Sequence, residues 1–442
     1  MQITRSTFYQ VIVFHLYILA FYLTLPDKNE WWTTVLLLSL VLILVILEYL
    51  RTWLFVSPML LWYVFWLGAI SIGRMDLDLY PMYRTWESDL IKLVLINTCA
   101  FFWFFWIGEL ISQRKEQNER ITTQSIHGLA DITIFMLLSA LLCYALNVIK
   151  TGYIPMLTSD ANSYREAFVR TVFYKIISAM RVSFVLAPAA LKYEENRIKK
   201  NGLIVLALLL MFAEALSGWR TYIFQAMIFS LTPFFVIYGQ EKAFSMRKRN
   251  LIVLLISSVV GLTLIGLIAV TRETFSGSLK EKAKYLFYTI YMYIAPNFLN
   301  LQYAIENVEP INLPVYSTEA IWGFFLNRDA IMFQFGENDQ AIGGFNVSTY
   351  MLQPWADFGR IGTIVWSAFI AFCSGVVFKK CRHYPGIVPL VLVGMMNISI
   401  FVMHNNLFFR TKTVVIWLFA ALAIEMYIRK KERYSWASQS EH

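Results

Sequence analysis

Apolar residues fall into long runs separated by shorter polar stretches. The runs lie near residues 7–25, 31–49, 52–72, 90–111, 130–148, 172–191, 202–217, 221–239, 251–270, 362–378, 385–403 and 411–428. A helix needs ~20 apolar residues, and at least ~17, to cross a hydrocarbon core, so even the shortest runs, 202–217 and 362–378, stand near the limit. Lipid offers backbone N–H and C=O groups no hydrogen-bond partners, which makes runs of this kind helices. The pattern therefore predicts an all-α polytopic membrane protein of about twelve spans, a single integral domain over residues 1–442. The first run follows Arg5 and is not followed by a small-residue cleavage site, so it reads as a retained signal anchor.

The polar stretches are unequal. Residues 26–30 and 217–220 make tight turns, and residues 73–89, 149–171 and 404–410 make modest loops. Residues 271–361 form one loop of about 90 residues, a length that is usually functional. Within it the stretch from Tyr285 to Phe298 is apolar for about 14 residues, too short to span, and fits an interfacial or re-entrant helix. Lys280, Lys282 and Lys284 lead into it and would meet lipid headgroups. Its tyrosines, Tyr288 and Tyr291 among them, suit an aromatic belt at a membrane interface and equally suit stacking against sugar faces. Pro310, Pro314, Gly336, Gly343, Gly344 and Pro354 punctuate the rest, which predicts short helices with irregular links.

Composition agrees with the pattern. The chain is 58% hydrophobic and 15% charged, against ~45–50% and ~25% in soluble domains. That excludes a disordered chain, a secreted disulfide scaffold and a two-domain soluble enzyme. Cys99, Cys143 and Cys373 fall in apolar runs and Cys381 in a basic stretch, so no disulfide framework is implied. The net charge of +9 points on so apolar a chain to a membrane surface and a phosphate-bearing lipid rather than to nucleic acid. With the N-terminus in the cytoplasm, 20 of the 38 basic residues fall in short inside segments, Arg51 and the Lys379-Lys380-Cys381-Arg382 stretch among them. The C-terminus is then cytoplasmic too, and the long loop is external.

The arginines left over are the candidate chemistry. Arg181 stands about ten residues from either end of its run, a depth that costs ~2.5–3.5 kcal/mol on insertion scales. It needs a polar cavity or a partner, and Glu214 in the following run is the obvious one. Arg220 stands in the tight turn Ser217-Gly218-Trp219-Arg220. Arg165 and Arg170 border the sixth run, Arg272 ends the ninth, Arg360 begins the tenth and Arg410 begins the twelfth. Arginine is permanently charged and holds phosphate oxygens bidentately, so a ring of them at one membrane level suggests an anionic headgroup such as a pyrophosphate. Each alone also fits a snorkelling interface residue, and Arg181 also fits a buried structural pair. The histidines do not cluster and no Gly-x-Ser-x-Gly elbow occurs, which removes zinc-site and serine-triad chemistry. Asp76 and Asp78 would hold a divalent cation or simply face solvent, and no metal site is predicted.

Several of these residues carry a resemblance. Gly152-Tyr153-Ile154-Pro155-Met156-Leu157 followed by Asn162-Ser163-Tyr164-Arg165 resembles the loop after the fifth span of bacterial oligosaccharide repeat-unit polymerases, the Wzy-type O-antigen polymerases. Ser217-Gly218-Trp219-Arg220-Thr221 resembles their short Gly-x-Arg turn. The stretch from Asn346 through Tyr350 to Asp357-Phe358-Gly359 resembles the end of their large periplasmic loop. As motif the likeness covers about thirty residues; as span count and loop order it covers nearly the whole chain.

The resemblance implies a GT-C-like polymerase/ligase architecture in the bacterial inner membrane. It implies an undecaprenyl-pyrophosphate-linked oligosaccharide as substrate and a chain-length-determining co-polymerase as a possible partner. By matched position it gives Arg165 and Arg220, and then Arg272, a part in binding that substrate, with Arg360 directly after the Asp-Phe-Gly match. Arg181 and Arg410 rest on the physical argument alone. In the implied reaction an acceptor hydroxyl attacks the donor's anomeric carbon and the pyrophosphate leaves, so no nucleotide, metal or other cofactor is needed. His404, Asp357 and Glu273 are the candidate bases; an interface histidine, a helix cap and a solvated first-turn acid are their alternatives. A ligase of the same fold differs only in acceptor. A lipid-linked-sugar flippase is the third alternative, against which stand the lack of an internal repeat and a glycine content of 20 in 442, below the ~7% average.

Overall fold

The computed structural model describes residues 5–24, 31–74, 86–112, 128–158, 161–218, 220–238, 279–322, 348–383, 386–403 and 412–440. Among these the protein is all-helical, and six helices are long and apolar enough to cross a membrane. The helices are α1 (Arg5–Leu23), α2 (Trp31–Thr52), α3 (Pro58–Trp62), α4 (Gly68–Gly73), α5 (Ser88–Ser112), α6 (Leu129–Thr151), α7 (Ala161–Val169), α8 (Val172–Met180) and α9 (Ser183–Tyr193). They continue with α10 (Arg197–Leu216), α11 (Arg220–Tyr238), α12 (Leu279–Asn307), α13 (Glu319–Trp322), α14 (Leu352–His383), α15 (Ile387–Phe401) and α16 (Lys412–Ser440). The expected run 251–270 lies outside the described residues. The chain forms two compact units, one of Met1–Lys115, Gly277–Lys379 and Met396–Val414, the other of Glu116–Ser276, Lys380–Met395 and Val415–His442.

In the first unit α1 and α2 pack side by side. The buried positions of α1 are Gln10, Phe14, Tyr17 and Phe21, a stripe at helical spacing. Its other faces carry exposed Phe8, Ile12, Leu16 and Leu19. Apolar residues all round are the mark of a helix in lipid, and they hide the protein-facing stripe from any reading of hydrophobicity alone. Phe14 stacks on Phe102 of α5 with ring centroids 3.9 Å apart, and Trp62 of α3 stacks on Phe101 at 4.8 Å.

The expected run 52–72 starts late for a local reason. Trp53 turns the chain at φ 58°. Ser57 then caps α3, accepting from the Leu60 N–H at 3.1 Å, with Pro58 in the first turn, where its missing N–H costs nothing. Between α3 and α4 lies one wide π-helical turn, Tyr63–Leu67, and the Leu67 carbonyl accepts from Tyr17 Oη at 3.0 Å.

The long loop departs from expectation. Its apolar stretch is not a 14-residue surface helix but part of α12, 29 residues long, which packs on α4 and α5. Its second half is buried through Tyr291, Ala295, Phe298, Leu299, Leu301 and Ala304. Tyr291 is therefore in the protein interior rather than displayed at an interface. Phe298 fills the space beside Gly73, where a Cβ would stand 3.1 Å from its ring.

In the second unit α6 packs on α8, α9 and α10, and α9 packs on α11. Helix ends are satisfied by side chains from other helices. Glu425 of α16 accepts from the Val388 N–H in the first turn of α15 at 2.8 Å, Trp417 Nε1 donates to the Ser178 carbonyl near the end of α8 at 2.7 Å, and Lys192 Nζ donates to the Ile237 carbonyl at the end of α11 at 3.1 Å. Such end groups have no partner within their own helix, and lipid supplies none.

Helices α5 and α14 approach closely through two glycines. A Cβ on Gly108 would overlap the Phe372 carbonyl, and one on Gly375 would overlap the Phe105 carbonyl. Small residues that let backbones touch are a main source of helix association in lipid. Gly108→Ala or Gly375→Ala should therefore cost about 1–3 kcal/mol through overpacking, lowering the thermal midpoint of the detergent-purified protein. Gly202→Ala in α10, where a Cβ meets nothing within 4 Å, should leave that midpoint unchanged or raise it.

Candidate functional site

The segment between α6 and α8 is built by its own sequence. Gly152 ends α6 in a left-handed turn (φ 79°), its N–H bonded to the Val148 carbonyl at 2.8 Å, the usual glycine stop. Pro155 opens a short 3₁₀ turn, Pro155–Leu157. Tyr153 lies edge-on to Tyr164 of α7 at 4.7 Å and donates to the Tyr164 carbonyl at 3.3 Å. Asn147 of α6 donates to the Phe168 carbonyl at 3.0 Å and accepts from Thr171 Oγ1 at 2.5 Å, the residue that caps α8. The segment is thus anchored at both ends, with Arg165 half-buried on α7 and Arg170 exposed in a pair with Glu166 at 3.3 Å.

The sixth apolar run is broken where Arg181 stands. Helix α8 ends at Met180, the chain makes tighter bonds from the Phe184 N–H to the Arg181 carbonyl and from the Val185 N–H to the Val182 carbonyl, and α9 resumes at Ser183. Arg181 is 2% exposed and Glu214 of α10 is fully buried. The pair is bidentate, Arg181 Nε to Glu214 Oε1 at 2.8 Å and Nη2 to Oε2 at 2.9 Å. Tyr174 Oη donates to Glu214 Oε2 at 2.7 Å and accepts from Arg181 Nη2 at 3.1 Å. Arg181 Nη1 donates to Gln225 Oε1 of α11 at 3.4 Å, and the guanidinium lies over the Tyr222 ring at 3.9 Å from its centroid. The expected partner is therefore the real one, and the guanidinium is engaged by side chains on both α10 and α11.

This network ends at the tight turn. Ser217 follows α10, buried, its Oγ donating to the Glu214 carbonyl at 2.6 Å and lying 3.3 Å from Tyr174 Oη. Gly218 takes φ 80°, a left-handed conformation that favours glycine, and Arg220 begins α11. A Cβ on Gly218 would stand 3.5 Å from Met156 Sδ and 3.9 Å from Arg165 Cβ. Two segments 53 residues apart in the chain, from Arg165 to Gly218, thus meet here, one bringing Arg165 and the other ending at Arg220. The side chain of Arg220 is outside the described residues, as are Arg272, Glu273, His404 and Arg410, the side chain of Tyr288, and the Asp76–Asp78 pair. Among the described residues no three His, Cys, Asp or Glu side chains converge as metal ligands do.

In the first unit Asp357-Phe358-Gly359 is a corner. Phe358 and Gly359 leave helical geometry, Gly359 at φ 60°, so α14 is two helices joined by a kink. Pro310 packs on Gly359, leaving a Cβ there only 3.1 Å from its ring. The buried Asp357 carboxylate accepts from three successive backbone N–H groups, Val315 at 3.1 Å, Tyr316 at 2.8 Å and Ser317 at 2.7 Å, and from Ser317 Oγ. With four donors on two oxygens, it serves as a clamp that holds the 308–318 segment to the corner, rather than as the cap of a helix. Arg360 is exposed just beyond, 3.7 Å from Asp89 of α5.

One polar cluster was not foreseen. Arg51, counted above among residues that merely orient the chain, is buried between two acids from apolar runs. Its Nε and Nη2 bind Glu48 at 2.7 and 2.8 Å, and Nη1 and Nη2 bind Glu109 at 2.7 and 3.2 Å. Gln10 Nε2 and Ser57 Oγ also donate to Glu48, at 3.2 and 3.0 Å, and Trp106 lies over the guanidinium at 4.5 Å. A glutamate inside an apolar run was the available signal, since ionisable groups at that depth need partners.

Comparison with protein-family models, with curated proteins and with solved structures returns no match.

Two outcomes follow from these geometries. Arg181→Met should destabilise the protein by about 3–5 kcal/mol by leaving Glu214 buried and unpaired, whereas Arg181→Met with Glu214→Leu should recover most of that loss; denaturation of the detergent-purified variants measures both. Asp357→Ala should speed amide exchange at residues 315–317 without comparable change in α6, as read by hydrogen-exchange mass spectrometry.

Proposed function

We propose that the chain is a bacterial inner-membrane glycosyltransferase of about twelve spans that polymerises oligosaccharide repeat units carried on undecaprenyl pyrophosphate. The observation that carries the proposal is the meeting of Arg165 with the Gly218 turn. Two stretches matched separately to the polymerase pattern, 152–165 and 217–221, become one place in the fold. Both termini are cytoplasmic in this proposal, and the 271–361 segment faces the periplasm.

The chemistry is a displacement at the donor's anomeric carbon. The acceptor hydroxyl attacks, the glycosidic C–O bond to the pyrophosphate breaks, and negative charge grows on the leaving group. Preplaced guanidinium groups at a lipid boundary stabilise that charge more than they would in water. Arg165 and Arg220 fill this role, with Arg272, Arg360 and Arg410 as further candidates for the anionic substrate. Arg181 is assigned elsewhere because Glu214 already neutralises it. For the acceptor proton His404 and Glu273 are the better candidates, since the oxygens of Asp357 are taken by four donors.

Reconstitution with lipid-linked repeat units separates the alternatives. A ladder of products supports the polymerase, a single transfer to a different acceptor supports a ligase, and transbilayer movement without new bonds supports a flippase. In cells, Arg220→Ala should abolish the glycan ladder at unchanged membrane expression. Arg220→Lys, which keeps the charge and loses the bidentate fork, should shorten the ladder. Full ladders from Arg220→Ala would remove that arginine from the mechanism.

A further inference from the structure

The buried ion pair and the tight turn are one device. Arg181 touches residues on both sides of the turn: Glu214 before it, through two bonds, and Tyr222 and Gln225 after it, through the ring face and a hydrogen bond. Glu214 and Ser217 are tied to each other by the Ser217 Oγ bond to the Glu214 carbonyl, and Tyr174 reaches both. Ala215 and Ile223, one on each side, are packed together with Met156 against them. The helix ends on either side of the turn are therefore fixed by Tyr174 on α8, Arg181 at the break after it and Met156 in the 155–157 turn. At the left-handed Gly218 a side chain would fill the space toward Met156 and Arg165, a Cβ there standing 3.9 Å from Arg165 Cβ.

We infer that Arg181, Glu214 and Tyr174 are positioning residues: they hold the turn that begins α11, where Arg220 stands, against the segment that carries Arg165 before an anionic group arrives. This deepens the proposed function and rests on it for the identity of that group, a lipid-linked pyrophosphate. The physical reason is the cost of ordering. A turn already fixed by a desolvated, bidentate ion pair does not have to be ordered during reaction. A displacement of about 1 Å in such a site can lower turnover by about 10²-fold.

The test uses the full chain in lipid nanodiscs, with hydrogen exchange read by mass spectrometry and turnover read on a lipid-linked repeat unit. Arg181→Lys keeps the charge but cannot make the fork, and Glu214→Gln keeps the shape but not the charge. Both should speed exchange at least tenfold in peptides covering residues 215–224, leave α6 peptides unchanged, and lower turnover by about 10²-fold with little change in KM. Arg181→Met with Glu214→Leu removes both charges while keeping an apolar core, so it reports on the turn even where a single variant fails to fold. It should show the same local loosening. Unchanged exchange at 215–224 in all three variants overturns the positioning role, and so does an equal rise throughout the chain, which would mark a plain structural pin. The exchange arm needs no substrate, so a parent protein that makes no polymer overturns the glycan proposal alone.

Discussion

A charged side chain buried among apolar helices must bring its partners with it. Lipid and packed hydrocarbon supply neither water nor counter-charge, and an ion stripped of both is costly. In the second unit that constraint fixes the local architecture. Arg181 sits where its helix breaks, Glu214 turns toward it from α10, Tyr174 bridges the two, and Tyr222 and Gln225 close over it from α11. Replacing such a pair with apolar residues is often nearly neutral for stability. Its presence here is better explained by what it fixes than by energy it contributes. A bidentate fork has one geometry, whereas leucines pack in several.

The first unit meets the same constraint differently. Arg51 answers two carboxylates rather than one, and Gln10 and Ser57 supply further donors to Glu48. Asp357 is satisfied with no cation among its hydrogen-bond donors, by three backbone N–H groups of a turn. A row of successive N–H groups holds a carboxylate as it would hold any anion. This accounts for the Asp-Phe-Gly sequence at a kink: the acid binds the neighbouring segment, and the glycine supplies a backbone angle that other residues rarely adopt.

The sequence carried the all-helical membrane class plainly, because a run of apolar residues long enough to span admits only one backbone solution, and among the described residues six helices meet that length. It also carried the Arg181–Glu214 pair, since an arginine in the middle of one run and a glutamate in the next invite pairing. It did not carry which face of each helix meets protein. On α1 the buried Phe14 and the exposed Phe8 are the same residue type, and hydrophobicity cannot separate lipid from protein. For the same reason the tyrosines of α12 looked like an interface belt although Tyr291 is interior. Arg51 was missed because the rule that cations flank spans on one side accounts for it without asking what it touches.

These distinctions change how the arginines should be weighed as an anion site. Counting them at one membrane level treats every guanidinium as available. The geometry sorts them instead. Arg181 is neutralised by Glu214 through a bidentate pair, and Arg170 and Arg360 share exposed carboxylates. Exposed pairs of that kind hold their partners weakly, but they add little net field where positive and negative charges adjoin. At the turn, Glu214 is already spent on Arg181. Glu214 is therefore unavailable to any other cation there. The N-terminal end of α11, which begins at this turn, carries partial positive charge of its own. The buried pair thus keeps Glu214 from offsetting the partial positive charge with which α11 begins.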